Sequence, residues 1–277
     1  MTDPWNQIFI NPILNALVAL NNAFTFLGIP GSFGWAIISL TIIIRLILYP
    51  LTAAQLKSAK KMQELKPHLD ALKEKHGHDK QKLAAAQMNL YKEHGVNPAA
   101  GCLPLLISIP IFIALYQVFL RVLGNGNIAE TIGQVNKILY PFLKLDHLDP
   151  YFFGVNLAQK PDSWQVNGWW LILIPIITTI FYFIQTKMMA PAPVKTEKNK
   201  KKEGGEEMMA AMTQGPMLFL FPLMIGFFAY SFPIGLSLYW NTFTLLAIAQ
   251  QYFIAGWGGL SRLDSRKAGL VSPAKGG

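Results

Sequence analysis

Apolar residues are concentrated in five long runs along the chain, and polar segments rich in lysine separate these runs. A helix of about 20 apolar residues crosses a hydrocarbon core about 30 Å thick. In lipid the backbone groups must bond within their own segment, which favours helices for runs of this length. The pattern therefore predicts an all-α, polytopic integral membrane protein. Its five predicted transmembrane helices are Trp35–Leu51, Cys102–Leu123, Trp169–Met189, Pro216–Phe232 and Ile234–Ile254.

The segment before the first predicted span, residues 1–33, has a mixed character. Its apolar stretch Ile8–Leu27 contains Asn11, Asn15 and Asn22, whose spacing of four and seven residues places them on one face of a helix. This pattern favours an amphipathic interfacial helix, which lies on the membrane surface, over an additional span. The glycines and the proline that follow it predict a break in the chain.

A helical hairpin is predicted between the first and second spans, over residues 55–95. Apolar residues recur with helical spacing through Ala54–His76, where Pro67 predicts a kink. Gly77 is expected to end this helix, and Asp79 is expected to cap the second helix of the hairpin.

Two other polar segments differ from the hairpin in composition. Residues 190–214 contain the low-complexity stretch Lys195–Glu207, whose high charge and lack of large apolar residues predict disorder. Residues 255–277 form a short basic tail. The chain therefore divides into the N-terminal segment, a five-span core over residues 34–254, and this tail.

The distribution of lysine and arginine predicts the orientation of the spans. Nine lysines lie in Thr52–Asn97, six lie in Lys187–Gln214, and four Lys or Arg follow Trp257. The loop between the second and third spans contains only three lysines. Because cytoplasmic loops are enriched in Lys and Arg, the three richer segments are predicted to be cytoplasmic. The N-terminus is then outside and the C-terminus inside, as an odd number of spans requires.

Composition supports the membrane assignment and limits the chemistry. Apolar residues make up 52% of the chain and charged residues only 14%, against about 25% in soluble domains. The net charge of +9 lies in loops that flank the spans, where topology and anionic lipid explain it without nucleic acid. The single cysteine, Cys102, excludes an internal disulfide and a multi-cysteine metal site.

The placement of titratable residues argues against catalysis and against coupled transport. All five histidines are in loops, and none of the 15 acidic residues lies within a predicted span. Proton- or sodium-coupled transporters and intramembrane proteases need such groups inside the membrane. His76 and His78 could bind a metal together, but two histidines on a lysine-rich surface are usually solvated. We therefore predict no enzyme activity, no catalytic residue, no metal and no cofactor.

One charge remains deep inside a predicted span. Arg45 lies ten residues into the first span, near its middle, where insertion of an arginine costs about 2.5–3.5 kcal/mol. The guanidinium cannot lose its proton, and no predicted span offers it a carboxylate. Two interpretations are open. Arg45 either snorkels toward the cytoplasmic headgroups or sits as a fixed positive charge in a hydrated groove within the bilayer.

Polar side chains on other predicted spans are candidates to line such a groove. In the last span, Ser237, Asn241, Thr244 and Gln251 recur at helical spacing and form one polar stripe. Gln117 supplies a further polar group in the second span. The alternative is that these residues only form hydrogen bonds between helices.

Three stretches of the sequence resemble the YidC family of membrane protein insertases, within the YidC/Oxa/Alb superfamily. They are IIIRLILYPLTAAQLKSAKKMQELKP (Ile42–Pro67), LYKEHGVNPAAGCLPLLISIPIFIALYQVF (Leu90–Phe119) and SFPIGLSLYWNTFTLLAIAQQ (Ser231–Gln251). The resemblance covers about Gly34–Ile254. It implies five core spans around a hydrophilic groove that opens to the cytoplasm and to lipid, with a cytoplasmic helical hairpin before the second span.

The resemblance also implies roles for individual residues. The groove arginine of the family corresponds to Arg45, and its partner threonine, one turn earlier, corresponds to Thr41. The aromatic pair near the start of the last span corresponds to Tyr239 and Trp240. We therefore expect the substrate groove to be formed by Arg45, Thr41, Gln117, Ser237, Tyr239, Trp240, Asn241 and Thr244.

The function implied by the resemblance is that of a membrane protein insertase and chaperone in the bacterial plasma membrane. Its partners would be nascent membrane proteins as clients and the lipid bilayer, with the ribosome and the Sec translocon as further candidates. Two other functions stay open: a small solute transporter or channel built around the lone charge, and a purely structural assembly factor. A structural factor would tolerate Arg45→Leu, whereas insertion of acidic clients would not.

Overall fold

A computed structural model describes residues 3–96, 103–123, 127–190 and 217–263 of the chain. Helices make up most of the described residues, which confirms the all-α class predicted from the sequence. Cys102, the predicted disordered stretch Lys195–Glu207 and most of the basic tail lie outside the described residues.

The elements follow one another in a simple order. A π-helical turn (Asn6–Ile10) leads into α1 (Asn11–Phe26), followed by α2 (Ser32–Ile47), α3 (Tyr49–Glu64), α4 (Lys66–His76), α5 (Lys80–Glu93) and α6 (Leu103–Leu123). Then come α7 (Ile128–Asn136), β1 (Tyr151–Phe152), β2 (Val155–Asn156), α8 (Trp164–Asn167), α9 (Leu173–Met189), α10 (Met217–Ser231) and α11 (Ile234–Ala255). Short 3-10 turns cover Pro161–Ser163, Trp169–Ile172 and Gly258–Leu263.

The chain divides into two compact units. The first comprises Met1–Tyr49, Pro104–Tyr182 and Pro222–Leu246. The second comprises Pro50–Leu103, Phe183–Phe221 and Ala247–Gly277. The apolar core of the first unit is formed by α1, α2, α6 and the beginning of α11. Its largest fully buried side chains include Phe33, Phe119, Ile10, Leu14, Leu17, Ile37, Leu115 and Leu236.

A helix occupies each of the five predicted spans, in α2, α6, α9, α10 and α11. By length and hydropathy, two described helical segments can cross a membrane, Asn6–Phe26 and Trp169–Met189. The number of such segments rises to three if α2 and residues 49–62 are counted as one broken span. Shorter apolar helices cover Ile109–Leu123 and Leu218–Ser231. The helices of all five spans are thus confirmed, while their number of membrane crossings stays a prediction.

The first of these helices begins and ends earlier than predicted. Gly31 adopts the left-handed conformation (φ +71°) and starts α2 at Ser32. At the other end, Pro50 lacks the backbone N–H that a continuous helix would need, and α2 ends at Ile47. Arg45 therefore lies in the last turn of α2, not near the middle of the helix as predicted.

The predicted hairpin is present as α4 and α5. Helix α4 begins at Lys66, so that Pro67 sits in its first turn, where a missing N–H is tolerated. The carboxylate of Asp79 caps α5 by accepting a hydrogen bond from the backbone N–H of Lys82 at 3.1 Å. This hydrogen bond lowers the pKa of Asp79 below its usual value. No residue of α5 is buried, so little packing holds the hairpin.

The asparagine face of α1 is directed at protein and not at water. Asn15 is 4% exposed, and its Oδ1 accepts a hydrogen bond from the backbone N–H of Tyr140 at 2.7 Å. Asn22 donates to the carbonyl of Lys144 at 2.7 Å. These asparagines therefore hold the loop that follows α7. The sequence pattern could not reveal this contact. The placement of α1 on the membrane surface stays a prediction.

The loop between α6 and α9 contains a small β-hairpin that the sequence analysis missed. Its strands pair antiparallel, with Phe152 opposite Val155. The Phe152 ring lies against the first turn of α2, where a Cβ on Gly34 would collide with the ring and one on Gly31 would lie 2.9 Å from it. The absence of side chains at these two glycines creates a notch for Phe152.

Two backbone hydrogen bonds attach the segment after this hairpin to the start of α11. The N–H of Gly235 donates to the carbonyl of Leu157 at 2.8 Å, and the N–H of Ile234 donates to the carbonyl of Gln159 at 2.8 Å. These N–H groups lie in the first turn of α11 and have no acceptor within the helix. The loop thus accepts hydrogen bonds from N–H groups at the start of α11, while Phe152 of the same loop packs on α2.

In the second unit, a buried polar pair joins α3 to α11. The amide of Gln250 donates to the Thr52 hydroxyl at 2.7 Å, and this hydroxyl lies 3.2 Å from Gln250 Oε1. Each residue is 8% exposed. Because buried polar groups need partners, this pair fixes the beginning of α3 against α11.

Candidate functional site

Arg45 meets the last predicted span through an aromatic ring. Its guanidinium carbon lies 4.5 Å from the centroid of the Phe243 ring on α11. A cation over an aromatic face is stabilised by about 0.5–1 kcal/mol when exposed and by more when desolvated. Among the described residues, no acidic side chain forms an ion pair with Arg45. The Nε atom of Arg45 is buried and has no hydrogen-bond partner among the described residues.

Tyr239 adjoins the same position, one helical turn before Phe243. It is 5% exposed and lies on the same face of α11 as Phe243, the ring that Arg45 contacts. The Tyr239 ring is 6.0 Å from Phe243 and 6.1 Å from Phe119 of α6, centroid to centroid. Residues four apart share one face of a helix, so Tyr239 and Phe243 together form an aromatic wall beside Arg45.

Thr41 lies one turn before Arg45, as expected, but its hydroxyl is used inside the helix. The side chain is completely buried, and its Oγ1 donates to the carbonyl of Ile37 at 2.7 Å. Such bonds to the preceding turn are common for threonine in helices. Thr41 therefore shares a helix face with Arg45, but its hydroxyl bonds to the backbone of its own helix.

The polar stripe on α11 is buried and incompletely paired. Ser237 is 1% exposed and Thr244 is 2% exposed. Ser237 Oγ and Asn241 Oδ1 are buried and have no hydrogen-bond partner among the described residues. A buried polar atom left without a partner costs about 1–3 kcal/mol, so native structures avoid it.

Most of the unpaired polar atoms belong to two helices, α2 and α11. Four buried side-chain polar atoms of the described residues lack a partner, and three of them belong to Arg45, Ser237 and Asn241. The fourth belongs to Asn11. Helices α2 and α11 therefore carry donor and acceptor groups that the described residues leave without partners, and water or a bound polar segment could supply them.

Two predicted site residues have other partners. The Trp240 ring lies 5.2 Å from the Phe112 ring of α6, centroid to centroid, and Trp240 is 9% exposed. Gln117 Oε1 accepts a hydrogen bond from the indole N–H of Trp5 at 3.4 Å. The structure thus brings Arg45 to Phe243, with Tyr239 beside that ring, but directs Trp240 and Gln117 to different neighbours.

Phe243 is the site residue that the sequence analysis missed. It is partly buried and supplies the only ring recorded over a cationic side chain among the described residues. A signal for it was present, because it follows Tyr239 by four residues on the same helix. Only the contact with Arg45 distinguishes it from the many phenylalanines that face lipid.

Comparison with known proteins assigns the chain to a family. The sequence model of the family described as "60Kd inner membrane protein" matches residues 25–258. "Membrane protein insertase YidC" of Fusobacterium nucleatum is 36% identical over 81% of this chain and 86% of its own length. "Membrane protein insertase YidC 1" of Halalkalibacterium halodurans is 36% identical over 91% of this chain and 79% of its own length.

The similarity extends to a chloroplast protein. "ALBINO3-like protein 1, chloroplastic" of Arabidopsis thaliana is 29% identical over 98% of this chain. The chain spans about half of that relative, 52% of its length. Since the family match covers α2 to α11 and the bacterial relatives align over most of both chains, the chain belongs to the 60Kd inner membrane protein family of YidC insertases.

Proposed function

We propose that this chain, a membrane protein insertase by family, receives the polar segment of a client protein beside Arg45 and helps newly made membrane proteins to fold. The observation that carries this proposal is the buried Nε of Arg45, which has no hydrogen-bond partner among the described residues. A client backbone or acidic side chain would supply an acceptor for it. The Phe243 ring holds the guanidinium at α11, the helix on which Ser237 Oγ and Asn241 Oδ1 are also buried without a partner among the described residues.

The driving force for insertion comes from the client. Its apolar segment gains free energy by leaving water for lipid, at about 25 cal/mol for each Å² of apolar surface. The opposing term is the free energy needed to move the client's polar segment across the hydrocarbon core. A hydrated groove with a fixed positive charge shortens the distance over which this segment lacks polar partners. The proposed reaction therefore needs no bound cofactor and no covalent step.

Reconstitution tests this function directly. The purified chain in phosphatidylcholine–phosphatidylglycerol liposomes is expected to insert a single-span client without ATP and without an ion gradient, as measured by protease protection of the client's translocated tail. Protein-free liposomes are the control. Insertion no faster than in these liposomes, together with a flux of small solutes through the protein, would instead identify a transporter or channel.

For localisation, we propose the bacterial plasma membrane, with the N-terminus outside and the C-terminus in the cytoplasm. The lysine counts of the loops support this orientation. In a variant with Cys102→Ala, single cysteines replacing Asp146 are expected to react with an impermeant thiol reagent from outside. Cysteines replacing Lys75 or Lys200 are expected to react only after the membrane is opened. Equal labelling of positions 75 and 146 from one side would contradict the five-span topology.

The hairpin of α4 and α5 is proposed to receive clients on the cytoplasmic side as a movable element. Its lysine-rich surface and the absence of buried residues in α5 support this role. We expect amides of Ala59–Lys92 to exchange with deuterium orders of magnitude faster than those of α9, because local opening of the hairpin breaks few apolar contacts. Protection equal to that of α9 would mean that the hairpin is docked, and its movable role would be wrong.

A further inference from the structure

The tip of the β-hairpin carries a large apolar side chain in an unusual backbone conformation. Phe153 and Gly154 form the two-residue turn between β1 and β2, with φ +48° and φ +81°. Turns of this kind favour Asn-Gly or Asp-Gly, because a bulky L-residue is disfavoured at positive φ. Phenylalanine at position 153 is therefore unexpected from the turn geometry alone.

Packing within the chain does not explain this phenylalanine. Its side chain is 83% exposed, although the ring meets Phe152 edge-on at 4.7 Å and lies 6.2 Å from Trp35. The neighbouring Phe152 is different, since its ring occupies the notch at Gly31 and Gly34. Phe152 fixes the hairpin, and Phe153 presents an apolar ring outward from it.

The hairpin is held at a defined level of the helices. Phe152 contacts the first turn of α2, and the segment after the hairpin bonds to the N–H groups of Ile234 and Gly235 in the first turn of α11. Both helices are predicted spans, so their first turns mark the boundary between hydrocarbon and headgroups. Aromatic side chains are enriched at this boundary.

The tip itself exposes apolar side chains. Tyr151 is 52% exposed beside the 83% exposed Phe153, and Phe26 and Leu27, at the end of α1, are 91% and 67% exposed. The nearest charged side chain before the hairpin is Asp149, whose Oδ1 accepts a hydrogen bond from the backbone N–H of Tyr151 at 2.9 Å, and residues 150–159 contain no charge. Exposed aromatic rings at the tip, with a charged residue at the base of the hairpin, fit the lipid interface.

We propose that the β-hairpin is an interfacial anchor, which inserts Phe153 into the headgroup region of the leaflet where α2 begins. The partner is the lipid surface itself. The anchor would hold α2 and α11, the helices that carry Arg45 and the polar stripe, at a fixed depth. The hairpin is a different part of the molecule from the proposed client site, and its depth in the membrane can be measured separately from insertion activity.

Fluorescence quenching in liposomes tests the anchor. With Cys102→Ala as background, single cysteines replace either Phe153 or Asp162, an exposed residue of the same loop, and carry a small environment-sensitive fluorophore. We expect lipids spin-labelled in the headgroup region to quench position 153 several-fold more than position 162, and aqueous iodide to show the reverse order. If iodide quenches both positions equally, the tip is in water or awaits a protein partner, and the anchor is wrong.

A second comparison isolates the role of the Phe153 side chain. With the fluorophore on a cysteine at position 151, Phe153→Asn keeps a residue suited to the turn but removes the apolar ring. We expect lipid quenching at position 151 to fall several-fold with Phe153→Asn and to be largely kept with Phe153→Leu. Unchanged quenching with Phe153→Asn would overturn the assignment of Phe153 as the anchoring residue.

Discussion

Arg45→Ala is expected to weaken the initial capture of clients with an acidic translocated tail by about five- to thirtyfold. Two opposite charges 4 Å apart attract by about 4 kcal/mol at an effective dielectric constant near 20. Screening and the desolvation of the client leave about 1–2 kcal/mol of this attraction, which corresponds to the stated factor. The measurement is the initial rate of client insertion into liposomes that contain equal amounts of wild type or variant.

Three controls make this experiment specific for charge. Arg45→Lys keeps the charge and should keep most of the activity, although the bidentate geometry is lost. Arg121→Ala removes a different arginine, at the end of α6, whose Nη2 donates to Asn6 Oδ1 at 3.1 Å, and should not discriminate between clients. A client with a neutralised tail should reduce the difference between wild type and Arg45→Ala.

Equal impairment of acidic and neutral clients by Arg45→Ala would contradict direct charge capture. Arg45 would then act by hydrating the site or by holding α2 against α11 through Phe243. The proposed insertase function would survive that outcome, because the reconstitution assay tests it independently.

Gly34→Ala is expected to destabilise the first unit by about 1–3 kcal/mol, the usual effect of overpacking a filled site. The added Cβ would collide with the ring of Phe152, which also packs edge-on against Trp35 at 5.5 Å between ring centroids. The higher helix propensity of alanine offsets this by at most about 1 kcal/mol. The midpoint of thermal unfolding in detergent should fall accordingly.

Gly133→Ala is the matched control for this substitution. Gly133 is also helical, in α7, but an added Cβ would meet nothing within 4 Å. This variant should be as stable as wild type or slightly more stable, because only helix propensity changes. Replacing Phe152 by alanine should remove the penalty of Gly34→Ala, and a penalty that persists in the double variant would show that the notch is not its cause.

Local signals in the sequence predicted much of the fold. Gly77 and Asp79 marked the turn of the hairpin, because caps act through adjacent backbone groups. Pro67, predicted as a kink inside one helix, lies in the first turn of α4, where a new helix begins. The five apolar runs predicted helices because each is about long enough to cross a hydrocarbon core and must satisfy its backbone groups within its own segment. At the site, Arg45 stood out because a charge in an apolar run is rare.

Contacts between distant residues could not be predicted in this way. The asparagines of α1 have the same spacing whether they face water or the loop at Tyr140 and Lys144, since both offer hydrogen-bond partners. The stacking of Arg45 on Phe243 joins residues almost 200 positions apart. The β-hairpin is too short, at two residues in each strand, for alternation of apolar and polar residues to reveal it.

The notch that receives Phe152 has a consequence for how this family can change during evolution. Positions 34 and 152 share a fixed volume, which glycine and phenylalanine fill together. A relative that acquires a larger residue at the position of Gly34 should therefore carry a smaller one at the position of Phe152, and the two positions should vary as a pair. The loop between α6 and α9, although free to differ in length elsewhere, would be bound to α2 by this covariation.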